Sequence, residues 1–211
     1  MEITTTLSKK CLILALAALG LSGIVPGIVQ ANARPNATVT PFTMTQAQRL
    51  KVGVDPVMPA EEKAIIQQVI NDWNQAGCIH LVYDPAYTAH DQILIHNTII
   101  PSESHNNSIV YGLTTIGQKT KQGYLKQAQI ELDVQNIRHD AGHVGISPQQ
   151  YTTAGAQQAR FMQVVVAHEI GHALGLKHDN TNNPSVMHSG SSDYISSKDL
   201  MRVQNIYQGS N

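Results

Sequence analysis

The stretch VVVAHEIGHALGLKHD, residues 164–179, restricts this chain more than any other feature. His168 and His172 stand four residues apart. An α-helix turns about 100° per residue, so the two side chains lie about 40° apart on one face, one turn removed. His178 follows six residues later. In an unbroken helix it would point about 240° further round and sit about 9 Å along the axis. It can join the first two only if the helix stops and the chain turns back. Gly175 is where that can happen, because glycine enters the left-handed conformation that ends helices without a Cβ penalty.

Three neutral imidazoles brought together suit Zn²⁺ and leave the fourth tetrahedral position to water. Zinc lowers the pKa of that water to about 7. Glu169 lies about 100° round the helix from His168, beside the ligand face rather than on it. From there a carboxylate can take a proton from the water without binding the metal, which is the logic of H-E-x-x-H in metal-assisted peptide hydrolysis. The expected roles are therefore His168, His172 and His178 as ligands of one catalytic zinc, Glu169 as general base, and Gly175 as the turn. Gly171 keeps the helix slim near the metal, so that a neighbouring strand or loop can approach. Two other readings stand beside this one. The helix could be an amphipathic core helix whose histidines face a loop. Or the site could hold zinc without catalysis, as a non-catalytic extracellular binding module; the presence of Glu169 argues against that.

The N-terminus reads as a targeting segment. Lys9 and Lys10 precede CLILALAALGLSGIV, an apolar run of 15 residues, and Pro26-Gly27 follows. Ala31-Asn32-Ala33 fits the small-x-small cleavage rule, so residues 1–33 are expected to be a signal peptide and the protein secreted and extracellular. The competing reading retains residues 11–29 as an anchor that tethers the protein to the cell surface. Without residues 1–33 only Cys78 remains, so no internal disulfide can form and stability must come from the core, a metal, or both. The formal net charge of -1 supplies no basic field for nucleic acid. Protein or peptide substrate is the expected partner, and the chain is expected to be monomeric.

Residues 34–47 are rich in Thr, Pro and Asn without a period and read as a linker or extended arm, with the catalytic domain in 48–211. RLKVGV alternates as a short strand. Pro59 and the acidic pair Glu61-Glu62 open a helix whose apolar stripe is Ile65, Ile66, Val69, Ile70 and Trp73, and Gly77 stops it. Apolar runs at 78–83, 93–96, 109–117 and 128–134 follow; in the last, Ile130, Leu132 and Val134 share one face. Residues 135–152 read as irregular. A helix starts within 153–160 and carries the histidines, and a last one is capped by Ser196 with Asp199 three residues on. It buries Leu200, Val203, Ile206 and Tyr207 and ends near Gly209. This order predicts an α+β fold with a mixed, mostly sequential sheet.

HEIGHALGLKH, followed by PSVMHSG with Met187 nine residues after His178, resembles the metzincin metallopeptidases, whose pattern is H-E-x-x-H-x-x-G-x-x-H and then a Met-containing turn. VYGLTTIG, AQIELD and SSKDLMRVQNIYQG are similar to matrixins of the small exported bacterial sort. The resemblance implies a zincin fold: a mixed twisted sheet with two long helices above a small irregular lower subdomain that ends in a C-terminal helix. It implies that Met187 lies beneath the zinc as a hydrophobic base without ligating it, and that Asp199 braces the Met-turn from the last helix. The strand at 128–134 would be the cleft-lining edge to which an extended peptide adds by backbone pairing. Residues after Met187 would wall the pocket beyond the scissile bond, with Tyr194 as a candidate.

Some positions depart from the family pattern. Residue 179 is Asp, a choice more typical of adamalysin-like metzincins, and residue 198 is Lys where many matrixins carry a second acid. No cysteine lies between Ala33 and the first strand, so latency through a zinc-blocking cysteine is not expected. The loop before the edge strand offers only His105, so no second, structural zinc is expected there, and Ser189 excludes the tyrosine ligand of astacin-like enzymes. Asn- and Asp-bearing loops could hold calcium, but none shows its ligand pattern. His139, Asp140 and His143 read as a solvated loop, and His80, His90 and His96 receive no role. His188 reads as surface, and Asp179 either supports a ligand imidazole or is a plain loop residue. Cys78 is expected to be a small buried residue.

Overall fold

The computed structural model describes residues 42–101, 109–141, 153–179, 181, 183–188 and 194–208. Five strands form one sheet in the order β2-β1-β3-β5-β4: β1 Leu50–Val54, β2 Leu81–Asp84, β3 Ile93–Asn97, β4 Gly112–Ile116 and β5 Ala128–Leu132. The first three pairings are parallel, and β4 alone runs antiparallel, against β5. Two long helices, α2 (Ala60–Asn74) and α4 (Ala154–Ala173), pack together and supply much of the core beside the sheet. Below them, no described residue between Gly175 and α5 (Ser197–Gln208) lies in a helix or strand. This is an α+β architecture with a mixed sheet, as expected.

Local chemistry explains most boundaries. In α2, Ile66, Val69, Ile70 and Trp73 are buried at helical spacing, and Glu61 and Glu62 lie in the first turn, where acidic groups oppose the helix dipole. Gly77, at φ 71°, lets the chain leave α2. The Trp73 indole donates to the Ala167 carbonyl at 3.1 Å, which ties α2 to the turn of α4 that carries His168. The cap of α4 is Thr153, whose side chain accepts from the Ala156 amide. At the start of α5 the Ser196 hydroxyl accepts from the Asp199 amide and the Asp199 carboxylate from the Ser196 amide, a capping box. Val203 and Tyr207 are buried there, while Leu200 and Ile206 are half-buried. Cys78 is half-buried and precedes β2 rather than opening it.

Three expectations change. The folded region begins before residue 48: Phe42 is 1% exposed, and Met44–Ala47 form a short helix, α1, capped by Thr43 and Gln46. The stretch after β5 is not wholly irregular. Asp133 ends the strand and caps α3 (Val134–Asp140) by accepting from the Asn136 amide, and its other oxygen accepts from the Ile100 amide at 3.0 Å. Val134 therefore belongs to a helix, where Ile137 and Ala141 join it in the core. The edge strand is β4, not the strand at 128–134, because β5 is paired on both sides, by β3 and by β4. Alternation along β5 reports which face is buried; it carries no information on which edge is paired.

Burial of Phe42 makes a quantitative expectation. Phe42→Ala should lower unfolding free energy by about 3 kcal/mol in urea titration. A loss under about 0.5 kcal/mol would mean that residues 42–47 are not part of the core.

Candidate active site

The last turn of α4 decides where the third histidine goes. Gly175 adopts φ 101°. Its amide donates to the His172 carbonyl at 3.0 Å, and the Leu176 amide donates to the Gly171 carbonyl at 2.9 Å. These two bonds are the Schellman arrangement, which satisfies carbonyls that a helix end otherwise leaves open. The chain then doubles back. The Nε2 atoms of His168, His172 and His178 form a triangle with edges of 3.1, 3.2 and 3.2 Å. Three imidazole nitrogens on one tetrahedral zinc would stand about 3.3 Å apart, given a Zn–N distance of about 2.0–2.1 Å.

The second ring nitrogens support the same reading. His168 Nδ1–H donates to the Val186 carbonyl at 2.6 Å and His172 Nδ1–H to the Leu176 carbonyl at 2.9 Å. Those bonds select the tautomer that leaves Nε2 bare for a metal. Burial disfavours the charged form of each ring. It pushes His168 down to about 4, despite the opposing Val186 carbonyl, and holds His172 well below its ordinary value. His178, less buried, is lowered by the same cause and secondarily by the nearby His188. The three rings are thus neutral donors at pH 7, which is the form a metal requires. The donor set fits a single zinc.

Glu169 is fully buried beside the triangle. The Thr114 hydroxyl of β4 contacts its Oε2 at 2.6 Å and its backbone carbonyl oxygen at 3.0 Å. No described group bonds Oε1. Burial pushes the carboxyl up to about 7, against the lowering effect of Thr114. Gly112, two residues before Thr114 on the edge strand, makes the approach possible. A Cβ there would come within 2.7 Å of Glu169 Cγ and 2.9 Å of Oε1. Sequence reasoning gave neither Gly112 nor Thr114 a role. The available signal was small residues at alternate positions of YGLTT, a period that places both on one face of a strand.

Met187 is fully buried beneath α4. A Cβ at Gly171 would overlap the Met187 sulfur and come within 3.2 Å of the Trp73 ring. The slim helix expected at Gly171 therefore admits a loop, the one that carries Met187, and not a strand. The turn that carries Met187 closes with the His188 amide on the Ser185 carbonyl at 3.1 Å. Asp199 braces it from α5, accepting from the Ser185 hydroxyl at 2.5 Å and the Val186 amide at 3.0 Å.

Other candidates stand elsewhere. Asp179 bonds none of the three imidazoles; it is ion-paired with Lys198. Tyr194 donates to Asp72 on α2 at 2.7 Å, under Arg160 of α4 at 4.6 Å, so its hydroxyl is committed to the helix pair and not to a cleft wall. His139 is exposed on α3 and bonds Asp140, and Asp140 accepts from Tyr111 at 3.0 Å. His96 meets the Tyr87 hydroxyl, and His188 is half-buried. His105, His143 and Ser189 lie outside the described residues.

Comparison with known proteins follows the same line. A family model described as matrixin matches residues 56–208. The chain is similar in structure to myroilysin, at 12% identity and a TM-score of 0.44, over 80% of this chain and 85% of that one. It is also similar to high choriolytic enzyme 1, a hatching-enzyme zinc-protease of the medaka fish Oryzias latipes, at 15% identity and a TM-score of 0.42, over 81% of this chain and 94% of that one. No curated protein matches in sequence. The matched region runs from the turn before α2 to the last residue of α5, and so takes in the histidine triangle, Glu169 and the methionine turn; the chain belongs to the matrixin family, whose members are zinc metalloendopeptidases.

Proposed function

We propose that this chain is a secreted endopeptidase in which His168, His172 and His178 hold the zinc and Glu169 is the general base. The observation that carries the reading is the Nε2 triangle, with edges of 3.1–3.2 Å, beside a buried carboxylate that stands next to His168 on α4. Bound there, zinc would supply a Lewis acid for the scissile carbonyl and acidify a water. The chain's own residues manage the proton. Thr114 fixes one oxygen of Glu169, and the partnerless Oε1 is free to accept a proton and later to hand it to the leaving amine. Burial raises the affinity of that carboxylate for a proton, which suits a group that must hold one between two steps.

The substrate site rests on β4. Its outer edge is unpaired among the described residues, so an extended peptide can add there by backbone hydrogen bonds. Gly112 and Thr114 hold Glu169 against this strand, which brings the base to the backbone of any peptide so paired. Export rests on the sequence: Lys9 and Lys10, the apolar run after them and Ala31-Asn32-Ala33 support removal of residues 1–33. No helix among the described residues is long and apolar enough to cross a membrane. A monomer suffices, since every proposed group comes from one chain.

Three measurements test this reading. Glu169→Gln should keep one zinc per chain by metal analysis and lose at least about 100-fold in peptide hydrolysis. Hydrolysis at the parent rate by that variant would refute the mechanism. Thr114→Val should leave zinc content unchanged and lower kcat about tenfold through loss of one hydrogen bond to the base, while Thr114→Ser retains most of the rate. The mass of the exported protein should fall short of the full chain by residues 1–33; a full-length mass would support the anchored form instead.

A further inference from the structure

Among the three proposed ligands, His178 alone has no described group on its second ring nitrogen. His168 and His172 each donate Nδ1–H to a backbone carbonyl, whereas the bonds of His178 run only from Nε2. Metal-bound imidazoles need something to fix their orientation. For His178 the residues on either side are held instead, one by its main chain and one by its side chain, from α5. Arg202 Nη2 donates to the carbonyl of Lys177, the residue before, at 2.6 Å. The carboxylate of Asp179, the residue after, is ion-paired with Lys198 and lies 3.8 Å from Arg202 Nη1. Lys198 donates to the Thr181 hydroxyl at 2.6 Å, and the Thr181 amide donates to Asp179 at 3.0 Å. The Asp179 amide donates to the Met187 carbonyl at 2.9 Å, which ties the same residue to the methionine turn. Arg202 also lies 3.7 Å from Asp199, the brace of that turn.

The Asp179 side chain is only 6% exposed, against 30% for Lys198 and 26% for Arg202. A carboxylate so enclosed strongly disfavours arrangements that strip it of its cations. The chain around His178 therefore has one favoured position, set from α5.

The geometry points to Asp179, Lys198 and Arg202 as positioning residues for the third ligand: ion pairs that never touch the metal set where the His178 imidazole stands, and hence how tightly zinc is held. This rests on the ligand set proposed above.

The test measures zinc affinity by chelator competition, together with thermal unfolding of the zinc-free protein. Lys198→Met and Asp179→Asn should each weaken zinc binding about 10- to 100-fold, and Lys198→Arg should restore most of it. The double variant should lose less than the two single losses combined, because the second change removes the unpaired charge left by the first. Arg202→Lys keeps its charge but shortens the reach to Lys177; it carries the same expectation and stands in if a charge-removing variant fails to fold. Arg138→Met, which breaks the distant pair with Glu62, should lower the melting temperature and leave zinc affinity alone. If the Asp179, Lys198 and Arg202 variants melt lower yet hold zinc within about twofold of the parent, the cluster only stabilises the fold and the inference fails. A parent chain that takes up no zinc would overturn the ligand set itself, and this inference with it.

Discussion

Gly175 reverses the chain in the space of one residue, and the geometry of the site depends on that reversal. The left-handed φ lets the Gly175 and Leu176 amides close the end of α4 on the carbonyls of His172 and Gly171. Continued for one more turn, α4 would carry residue 178 to the far side of the helix. Stopped here, it leaves two imidazoles on a rigid face and delivers the third from a loop. The same reversal turns the Leu176 carbonyl back to accept from His172 Nδ1–H, so the helix end also orients one ring of the triangle.

The rings carried by the helix and the residue after the ring carried by the loop are held by groups outside α4. The support comes from below and from the side. Met187 fills the space that Gly171 leaves open, the Val186 carbonyl next to it accepts from His168, and Asp199 fixes both by bonding Ser185 and Val186. One buried carboxylate thus serves as helix cap for α5 and as brace for the turn under the triangle. The methionine turn and the last helix form one device, and the geometry of the histidine triangle is set by side-chain packing as much as by backbone.

Above the helix, the edge strand does related work on Glu169. Burying a carboxylate is costly unless it is bonded, and the single hydroxyl of Thr114 satisfies only one oxygen. Burial raises the proton affinity of Glu169 and Thr114 lowers it, and the approach of β4 that brings Thr114 in is made possible by the missing Cβ of Gly112. The histidine triangle and the buried carboxylate are therefore held by different parts of the fold.

The histidine spacing, the glycine stop, the apolar stripe of α2 and the Ser196 cap were legible because each is a local matter: helical period and capping act within a few residues along the chain. So the sequence by itself determined that the three histidines come together beside Glu169, the turn that joins them, and the α+β class. It misplaced the edge strand, because strand alternation encodes a buried face while edges are chosen by pairing partners far along the chain. It missed α3, whose cap Asp133 sits at the end of what reads as an alternating strand, and it left Phe42 in an arm because one aromatic among Thr and Pro carries no period. Tertiary structure alone decided that Thr114 meets Glu169 across 55 positions, that Tyr194 is spent on Asp72, and that Asp179 faces Lys198 rather than an imidazole. Those contacts arise from close approach of separate elements, and no periodicity within any one of them records where the others come to rest.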